Sequence, residues 1–222
     1  MKTKSILCYG DSNTWGFAPG TALRHAPDVR WTGVLQQRLG EGYKVFEEGL
    51  SGRTTIWDDP MKDFSSGKKY LPLFLHTHKP LDLVILMLGT NDLKHRFNLS
   101  AYDVSCGMKE LIRIIKESKT GIEGEAPQIL VVVPPKFNFI DEAPPQEFEG
   151  ALPKIEQLAG LYQSVAKEQR VLFFDTAEVV ECSVIDGIHL DRGEHGKLGR
   201  ELADFIHEYF GTKTKNSLSS IL

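Results

Sequence analysis

A serine and a distant Asp–His pair are the residues of this chain best suited to nucleophilic chemistry. Ser12 lies in the turn GDSN (10–13), directly after a short apolar run. Asp186 and His189 are close enough in sequence for one turn of chain to place the carboxylate beside the imidazole. A serine hydroxyl needs a base to take its proton, and the base needs a carboxylate to orient it. These three residues have the types that acyl transfer requires.

Each of these signals also has a structural interpretation. Gly, Asp, Ser and Asn are common turn formers, and a lone serine in such a turn is more often structural than catalytic. An isolated Asp-x-x-His is better explained by a carboxylate that shapes a loop and a partly buried histidine. Neither motif alone decides between a structural and a catalytic role.

Two further motifs follow predicted strands and supply groups that can bind an oxyanion. The segment GLSGRT (49–54) follows the second strand, and GTND (89–92) follows the third. Because the carboxyl ends of parallel strands meet at one edge of a sheet, we expect both motifs near Ser12. Backbone N–H groups of Ser12 and Gly52 and the side-chain amide of Asn91 can then stabilise a tetrahedral intermediate. Gly and Asn also suit ordinary turns, but their joint occurrence at successive strand ends favours an acyl-transfer site.

The pattern of apolar residues predicts the elements that position these motifs. Runs without alternation, such as LVILML (83–88), are typical of strands buried on both faces of a parallel sheet. Alternation of such strands with helices predicts right-handed crossovers and a three-layer α/β/α sandwich. The predicted strands are Ser5–Tyr9, Tyr43–Glu47, Leu83–Leu88, Ile129–Val133 and Val171–Phe174, and the clearest helices are Ser100–Lys119, Lys154–Glu168 and His195–Phe210.

Two segments do not fit this alternation. Residues 134–153 contain five prolines among several aromatic and acidic residues, a composition that breaks helices, so we expect a loop over the site. Residues 212–222 are polar and lack periodicity until their last positions, which predicts a frayed tail or a docking arm. We therefore expect one domain over residues 1–211 and a C-terminal tail over 212–222.

Composition narrows the class of partner. With 222 residues, 41% of them apolar, the chain suits one compact domain. Lys and Arg number 26 against 30 Asp and Glu, for a net charge of −4, so no basic footprint for nucleic acid or an anionic membrane is present. No run approaches the roughly 20 apolar residues needed to span a bilayer. We expect a small-molecule partner.

The remaining metal-ligating and redox residues are not grouped. Cys8, Cys106 and Cys182 are widely separated, which disfavours a disulfide framework or a zinc site and suits a reducing cytoplasm. His76 and His78 form an HxH pair without a third ligand nearby. We therefore predict neither a metal nor an organic cofactor.

The motifs GDSN, the SG of GLSGRTT, GTND and DGIH together resemble the four blocks of the SGNH hydrolase family, also called GDSL, in order and over nearly the whole chain. The resemblance implies that Ser12 is the nucleophile, His189 the base and Asp186 its orienter. It assigns the oxyanion hole to Ser12, Gly52 and Asn91. It also implies a flavodoxin-like α/β/α sandwich with a five-stranded parallel sheet.

Within that family, GDSNTWGF, the pair Arg30-Trp31 and GLSGRTT are most similar to the bacterial arylesterase and acyltransferase branch. Such enzymes cleave short-chain acyl esters such as acetates, and some transfer the acyl group to another alcohol or to peroxide. Members of the branch often self-associate, so the resemblance leaves both a monomer and a homo-oligomer as alternatives. Asn13 replaces the leucine of the name GDSL, at a position that the chemistry does not require.

The substrate pocket is less clearly marked. The aromatic residues Trp15, Phe17 and Trp57 and the 134–148 loop can wall a narrow apolar pocket, although an aromatic residue there is as often ordinary core. Arg53 either binds a substrate carboxylate or pairs with a neighbouring aspartate. Asp11 is expected to fix the turn by accepting backbone N–H groups. The candidate substrate-binding residues are Asp11, Trp15, Arg53 and Trp57.

Three other functions remain compatible with the motifs. A carbohydrate O-deacetylase uses the same chemistry and differs only on the alcohol side of the pocket. A lipase or thioesterase differs in accepting long acyl chains. A binding scaffold without activity has no need for all five motif residues together.

Overall fold

The computed structural model describes residues 3–140 and 143–219, with side chains described up to residue 211. Five strands form a fully parallel sheet in the order β2-β1-β3-β4-β5, which is the flavodoxin-like order. The strands are β1 Lys4–Gly10, β2 Tyr43–Gly49, β3 Leu83–Met87, β4 Gln128–Val132 and β5 Leu172–Phe174. All five predicted strands are confirmed, with ends within two residues of the predicted ones.

Within the described ranges, six α-helices connect and cover these strands. They are α1 Ser12–Trp15, α2 Trp31–Leu39, α3 Gly67–His78, α4 Ala101–Glu117, α5 Leu152–Gln169 and α6 Arg192–Ser219. Helix α4 is clearly amphipathic and begins with a capping box in which Ser100 and Asp103 bind each other's backbone N–H groups. This cap explains why the predicted start at Ser100 lies one residue from the observed one.

The helices bury the two faces of the sheet in separate cores. One face, with Leu7, Val84 and Val131, packs against α3, α4 and α5. The opposite face, with Ile85 and Leu130, packs against α2 and α6. The strands β1 and β3 are buried on both faces of the sheet. The side chains that point to either face are therefore apolar, and the sequences of these strands show no alternation. The predicted three-layer α/β/α sandwich is confirmed.

The last helix is longer than the sequence predicts. Helix α6 begins at Arg192 and continues to Ser219, beyond the predicted end at Phe210. Residues 212–219 contain neither glycine nor proline, so nothing in them forces the helix to stop. The segment expected to be a frayed tail is therefore helical as far as Ser219, and residues 220–222 lie outside the described part. The division into 1–211 and 212–222 stays a prediction.

The predicted loop at 134–153 contains only short turns before α5 begins at Leu152, with Pro153 in its first turn. A 3₁₀ turn covers Gln146–Phe148, and residues 141 and 142 are outside the described ranges. Over the described residues, no helix combines the length and apolar character that crossing a bilayer demands.

The carboxyl ends of β1, β2 and β3 meet at one edge of the sheet. Gly10 pairs with Gly49 on one side and with Met87 on the other. Gly49 is required by close packing, because a Cβ there would lie 2.6 Å from Trp15 Cα in α1. The next strand in the chain, β2, lies on one side of β1, and the strand after it, β3, lies on the other side. This edge is therefore the topological switch point where such sheets bind ligands.

Candidate active site

Three side chains form a hydrogen-bonded row at this edge. Ser12 is the first residue of α1, and its side chain is nearly buried. Its Oγ lies 2.9 Å from His189 Nε2, while His189 Nδ1 lies 2.8 Å from Asp186 Oδ2. The structure thus brings together the three residues that the sequence predicts to act as nucleophile, base and orienting carboxylate. Such a row can transfer the serine proton to the imidazole.

The DGIH turn holds the carboxylate against the imidazole. The backbone N–H groups of Ile188 and His189 both donate to Asp186 Oδ1 at 3.0 Å, so one oxygen is fixed by the turn and the other by the ring. Burial raises the pKa of Asp186, but the hydrogen bonds from His189 and from the two backbone N–H groups outweigh it, and the pKa lies below its ordinary value. Asp186 therefore stays ionised at neutral pH and favours the Nδ1–H tautomer of His189.

Asn13 connects the nucleophile turn to the histidine loop. Its side chain is 1% exposed. Asn13 Nδ2 donates to Ile188 O at 3.2 Å, and Asn13 Oδ1 accepts from Leu190 N at 3.0 Å. The sequence analysis assigned no chemical role to this position. In the structure, its amide binds the backbone on both sides of the histidine that faces Ser12.

Ser12, Gly52 and Asn91 line the same cavity as His189. Gly52 has φ 83°, a left-handed conformation that favours glycine. Asn91 Nδ2 donates to Arg53 O at 3.1 Å, and an amide carries two such N–H groups. Its second N–H has no acceptor among the described residues. The arrangement leaves that N–H available to an oxygen atom inside the cavity.

A buried carboxylate joins the two loops that carry Gly52 and Asn91. Asp92 accepts the backbone N–H of Thr55 at 3.0 Å and also binds the Thr55 hydroxyl. Burial raises the pKa of Asp92 to about 7, against the lowering effect of these hydrogen bonds. Sequence reasoning missed this contact, although Asp92 lies inside the GTND motif. It holds the amide of Asn91 and the turn at Gly52 at a fixed separation.

The cavity has a volume of about 140 Å³, which is small for a ligand site. The ring of Phe17 stacks on His189 with 4.3 Å between centroids. Besides the motif residues, the lining is apolar at Phe17, Phe148 and Ile188 and polar at Ser51, Lys62, Lys94 and Glu147. The predicted aromatic wall is thus observed at Phe17 and in the 134–153 loop at Phe148. The expected narrow apolar pocket is only partly apolar, because charged side chains from three loops enter the same wall.

Arg53 and Asp11 do not line the cavity and contact the backbone around it. Arg53 is 3% exposed, and its guanidinium donates to Gly10 O at 2.8 Å and to Glu48 O. It also lies over the Tyr9 ring, 4.1 Å from the centroid. Arg53 is absent from the cavity lining and forms no ion pair with an aspartate among the described residues, because its Nη1 is directed at the carbonyls that end β1 and β2. Asp11 accepts Asn13 N at 3.0 Å, as expected for a residue that fixes the turn.

The two tryptophans proposed as pocket walls lie outside the cavity lining. Trp15 is contacted by the guanidinium of Arg24, 5.1 Å from its ring. The backbone carbonyl of Trp57 accepts the hydroxyl of Thr54. Both are partly buried in the frame around the site. Sequence reasoning selected them by residue type, which does not show the direction of a side chain.

Two histidines outside the row have structural contacts. His195 is fully buried, and its Nδ1 accepts the backbone N–H of Trp31 at 3.2 Å. His78 Nε2 lies 2.7 Å from Glu48 Oε1. In the portion of the chain that is described, no three His, Cys, Asp or Glu residues are grouped so that they could hold a metal ion.

Comparisons with known proteins agree with the fold and the motifs. The sequence model of the GDSL-like lipase/acylhydrolase family matches residues 8–205. A carbohydrate acetylesterase from Sinorhizobium meliloti is 40% identical, with alignment over 93% of this chain and 100% of that one and a TM-score of 0.88. The native aryl esterase of M. smegmatis is 43% identical, over 93% of this chain and 99% of that one, with a TM-score of 0.87. None of the curated proteins compared with the chain matches it.

Proposed function

The chain belongs to the GDSL-like lipase/acylhydrolase family, and on that premise we propose that it hydrolyses short-chain acyl esters, of the acetyl type, through an acyl-enzyme on Ser12. The observation that carries this proposal is the row of hydrogen bonds from Asp186 through His189 to Ser12 at the wall of a small cavity. A carboxylic ester fits because its carbonyl carbon accepts the serine oxygen and its carbonyl oxygen then needs donors.

In the first step, His189 Nε2 takes the proton of Ser12 Oγ while Oγ forms a bond to the ester carbonyl carbon. The resulting oxyanion is bound by the backbone N–H groups of Ser12 and Gly52 and by the side chain of Asn91. His189 then gives the proton to the departing alkoxide, and the acyl-enzyme remains. In the second step, water attacks the acyl-enzyme with the same base, and the carboxylic acid leaves. An alcohol in place of water gives acyl transfer.

The small cavity supports short acyl groups. Its volume of about 140 Å³ is below the roughly 300 Å³ at which pockets for drug-sized ligands begin. Phe17, Phe148 and Ile188 can surround a methyl group, and polar and charged side chains make up the rest of the wall. The similar solved proteins are named as an aryl esterase and a carbohydrate acetylesterase, which agrees with this size.

The polar part of the wall favours a second candidate, a carbohydrate O-deacetylase. Ser51, Lys62, Lys94 and Glu147 offer hydrogen bonds that the hydroxyl groups of a sugar can use, whereas an aryl alcohol cannot. The catalytic residues are the same in both reactions. The two functions therefore differ only in the leaving alcohol.

The test is hydrolysis of 4-nitrophenyl esters of increasing acyl length by the wild-type protein and by Ser12→Ala. We expect kcat/KM to be highest on the acetate and kcat to fall by on the order of 10³ or more in the variant. Equal rates in the two proteins would remove Ser12 as nucleophile. Serine-dependent activity that peaks on long chains would indicate a lipase or thioesterase.

A second series separates the two alcohols. Acetylated monosaccharides and aryl acetates are compared at equal concentration, with acetate release as a common readout. Higher kcat/KM on the sugars assigns the deacetylase function, and higher kcat/KM on the aryl esters assigns the arylesterase function.

A further inference from the structure

Lys62 extends its side chain over the glycine that we assign to the oxyanion hole. A Cβ placed on Gly52 would lie 2.8 Å from Lys62 Cε and 2.9 Å from Lys62 Nζ. Both residues line the cavity. The ammonium group is therefore beside the reaction centre, even though the residue as a whole is exposed.

The charged residues around Lys62 leave its charge uncompensated. Lys94 Nζ lies 3.0 Å from Glu147 Oε2, and its side chain is 11% exposed. Arg96 binds both oxygens of Asp59, at 2.9 and 3.1 Å, and also contacts Glu147 at 3.3 Å. The two carboxylates are thus held by Lys94 and Arg96, whereas the side chain of Lys62 has no ion pair or hydrogen bond within the described part of the chain. Among the described residues here, three cations, Lys62, Lys94 and Arg96, face the two carboxylates of Asp59 and Glu147.

Two other observations agree with a positive wall. The pKa of Lys62 is lowered, first by partial burial and then by the charge of Lys94, against the opposite effect of Asp59 and Glu147. The hydroxyl of Ser51, next to Gly52 in the lining, is buried and has no hydrogen-bond partner in the described structure. The ammonium of Lys62 and the hydroxyl of Ser51 are thus two donors in one wall that no described side chain occupies, so a bound molecule can use both.

We propose that Lys62 and Lys94 form an anion subsite in the cavity wall, so that the preferred substrates are short-chain esters that carry a carboxylate. This inference rests on the proposed ester hydrolysis and adds a substrate class to it. A carboxylate bound by an ammonium in a partly enclosed site forms a charge-assisted hydrogen bond, stronger than a neutral one. The subsite contributes to binding and to the position of the ester, and it takes no part in bond making.

The test compares esters that differ only in charge. On the alcohol side, 4-acetoxybenzoate is compared with its methyl ester. On the acyl side, the mono-4-nitrophenyl ester of glutaric acid is compared with 4-nitrophenyl pentanoate. We expect the wild-type protein to favour the charged member of one pair by about tenfold or more in kcat/KM, mainly through KM, and less so at high salt. The favoured pair shows the side on which the carboxylate binds.

Lys62→Met should bring the ratio of kcat/KM between the charged and the neutral ester of the favoured pair to about one, and Lys62→Glu should reverse the preference. Lys167→Met, at an exposed position in α5, is the matched control and should behave as the wild type. The subsite is refuted by equal kcat/KM within both pairs, by a preference for the neutral esters, or by a preference that survives in Lys62→Met. If the wild-type protein hydrolyses none of these esters, the proposed function is refuted instead.

Discussion

Asn13 hydrogen-bonds the backbone on both sides of His189. Its amide donates to Ile188 O and accepts from Leu190 N, at 3.2 and 3.0 Å. These contacts join segments that are more than 170 residues apart in the sequence but are adjacent at the switch point of the sheet. The residue after the nucleophile therefore helps to set the distance between Ser12 and the imidazole.

Asn13→Ala should lower kcat by about 10- to 100-fold with a smaller change in KM, because an imidazole displaced by about 1 Å no longer meets the serine oxygen in line. Steady-state kinetics on 4-nitrophenyl acetate measure both constants. Cys182→Ala serves as the control, since Cys182 Sγ also donates to Ile188 O, at 3.0 Å, but a thiol is a weak donor. Equal kinetic effects of the two substitutions would contradict a specific role for Asn13.

Asn91→Ala should reduce kcat by roughly 100-fold, because it removes one donor to the oxyanion. Asn91→Asp should lower kcat further, since a carboxylate repels the developing negative charge. KM on a short neutral ester should change much less than kcat, because the interaction is strongest in the transition state. Wild-type turnover in the alanine variant would exclude Asn91 from the oxyanion hole.

Arg53→Met should destabilise the protein by about 2 kcal/mol, because charged hydrogen bonds to Gly10 O and Glu48 O are lost in a buried place. Urea unfolding measures the change. The ratio of kcat/KM between charged and neutral esters should stay as in the wild type, in contrast to Lys62→Met. A selective decrease of kcat/KM on the charged esters would contradict this structural role and indicate that Arg53 binds the substrate.

His195 should make the protein less stable in mild acid. Burial lowers the pKa of His195 to about 3, with a further contribution from His25. The unfolded chain binds a proton on this residue near pH 6.5 and the folded chain does not until about pH 3, so stability falls as pH decreases through that window. Between about pH 6.5 and pH 5, the loss from this group is about 2 kcal/mol.

His195→Asn tests this effect, because the Asn amide oxygen can accept the Trp31 N–H in place of Nδ1. Urea midpoints at about pH 7 and pH 5 should differ less in the variant than in the wild type. An identical pH dependence of the two proteins would show that His195 does not remain neutral in the fold.

The sheet was predictable because its strands are buried on both faces and alternate with helices. Three helices received no predicted bounds. Ser12–Trp15 has only four residues, too few for a periodic pattern. Trp31–Leu39 contains Gly33 and Gly67–His78 contains Pro72, and both residues weaken a helical pattern. The extension of α6 past Phe210 was missed because residues 212–219 lack the apolar spacing that identifies a packed helix.

The motif residues were predictable because the ends of parallel strands bring short polar turns to one edge. The charged part of the cavity wall was not predictable. Lys62, Lys94 and Glu147 come from three loops whose meeting depends on the complete fold, so their sequence spacing carries no signal. Trp15 and Trp57 were selected as aromatic residues, and the structure directs them away from the cavity lining.

Covalent labelling tests the central claim, nucleophilic activation of Ser12, most directly. The protein is treated with a fluorophosphonate, and the modified residue is identified by peptide mass spectrometry. We predict a single adduct on Ser12, slowed strongly in His189→Ala and absent in Ser12→Ala. An adduct on a different residue, or esterase activity in a protein whose Ser12 stays unlabelled, would contradict the account.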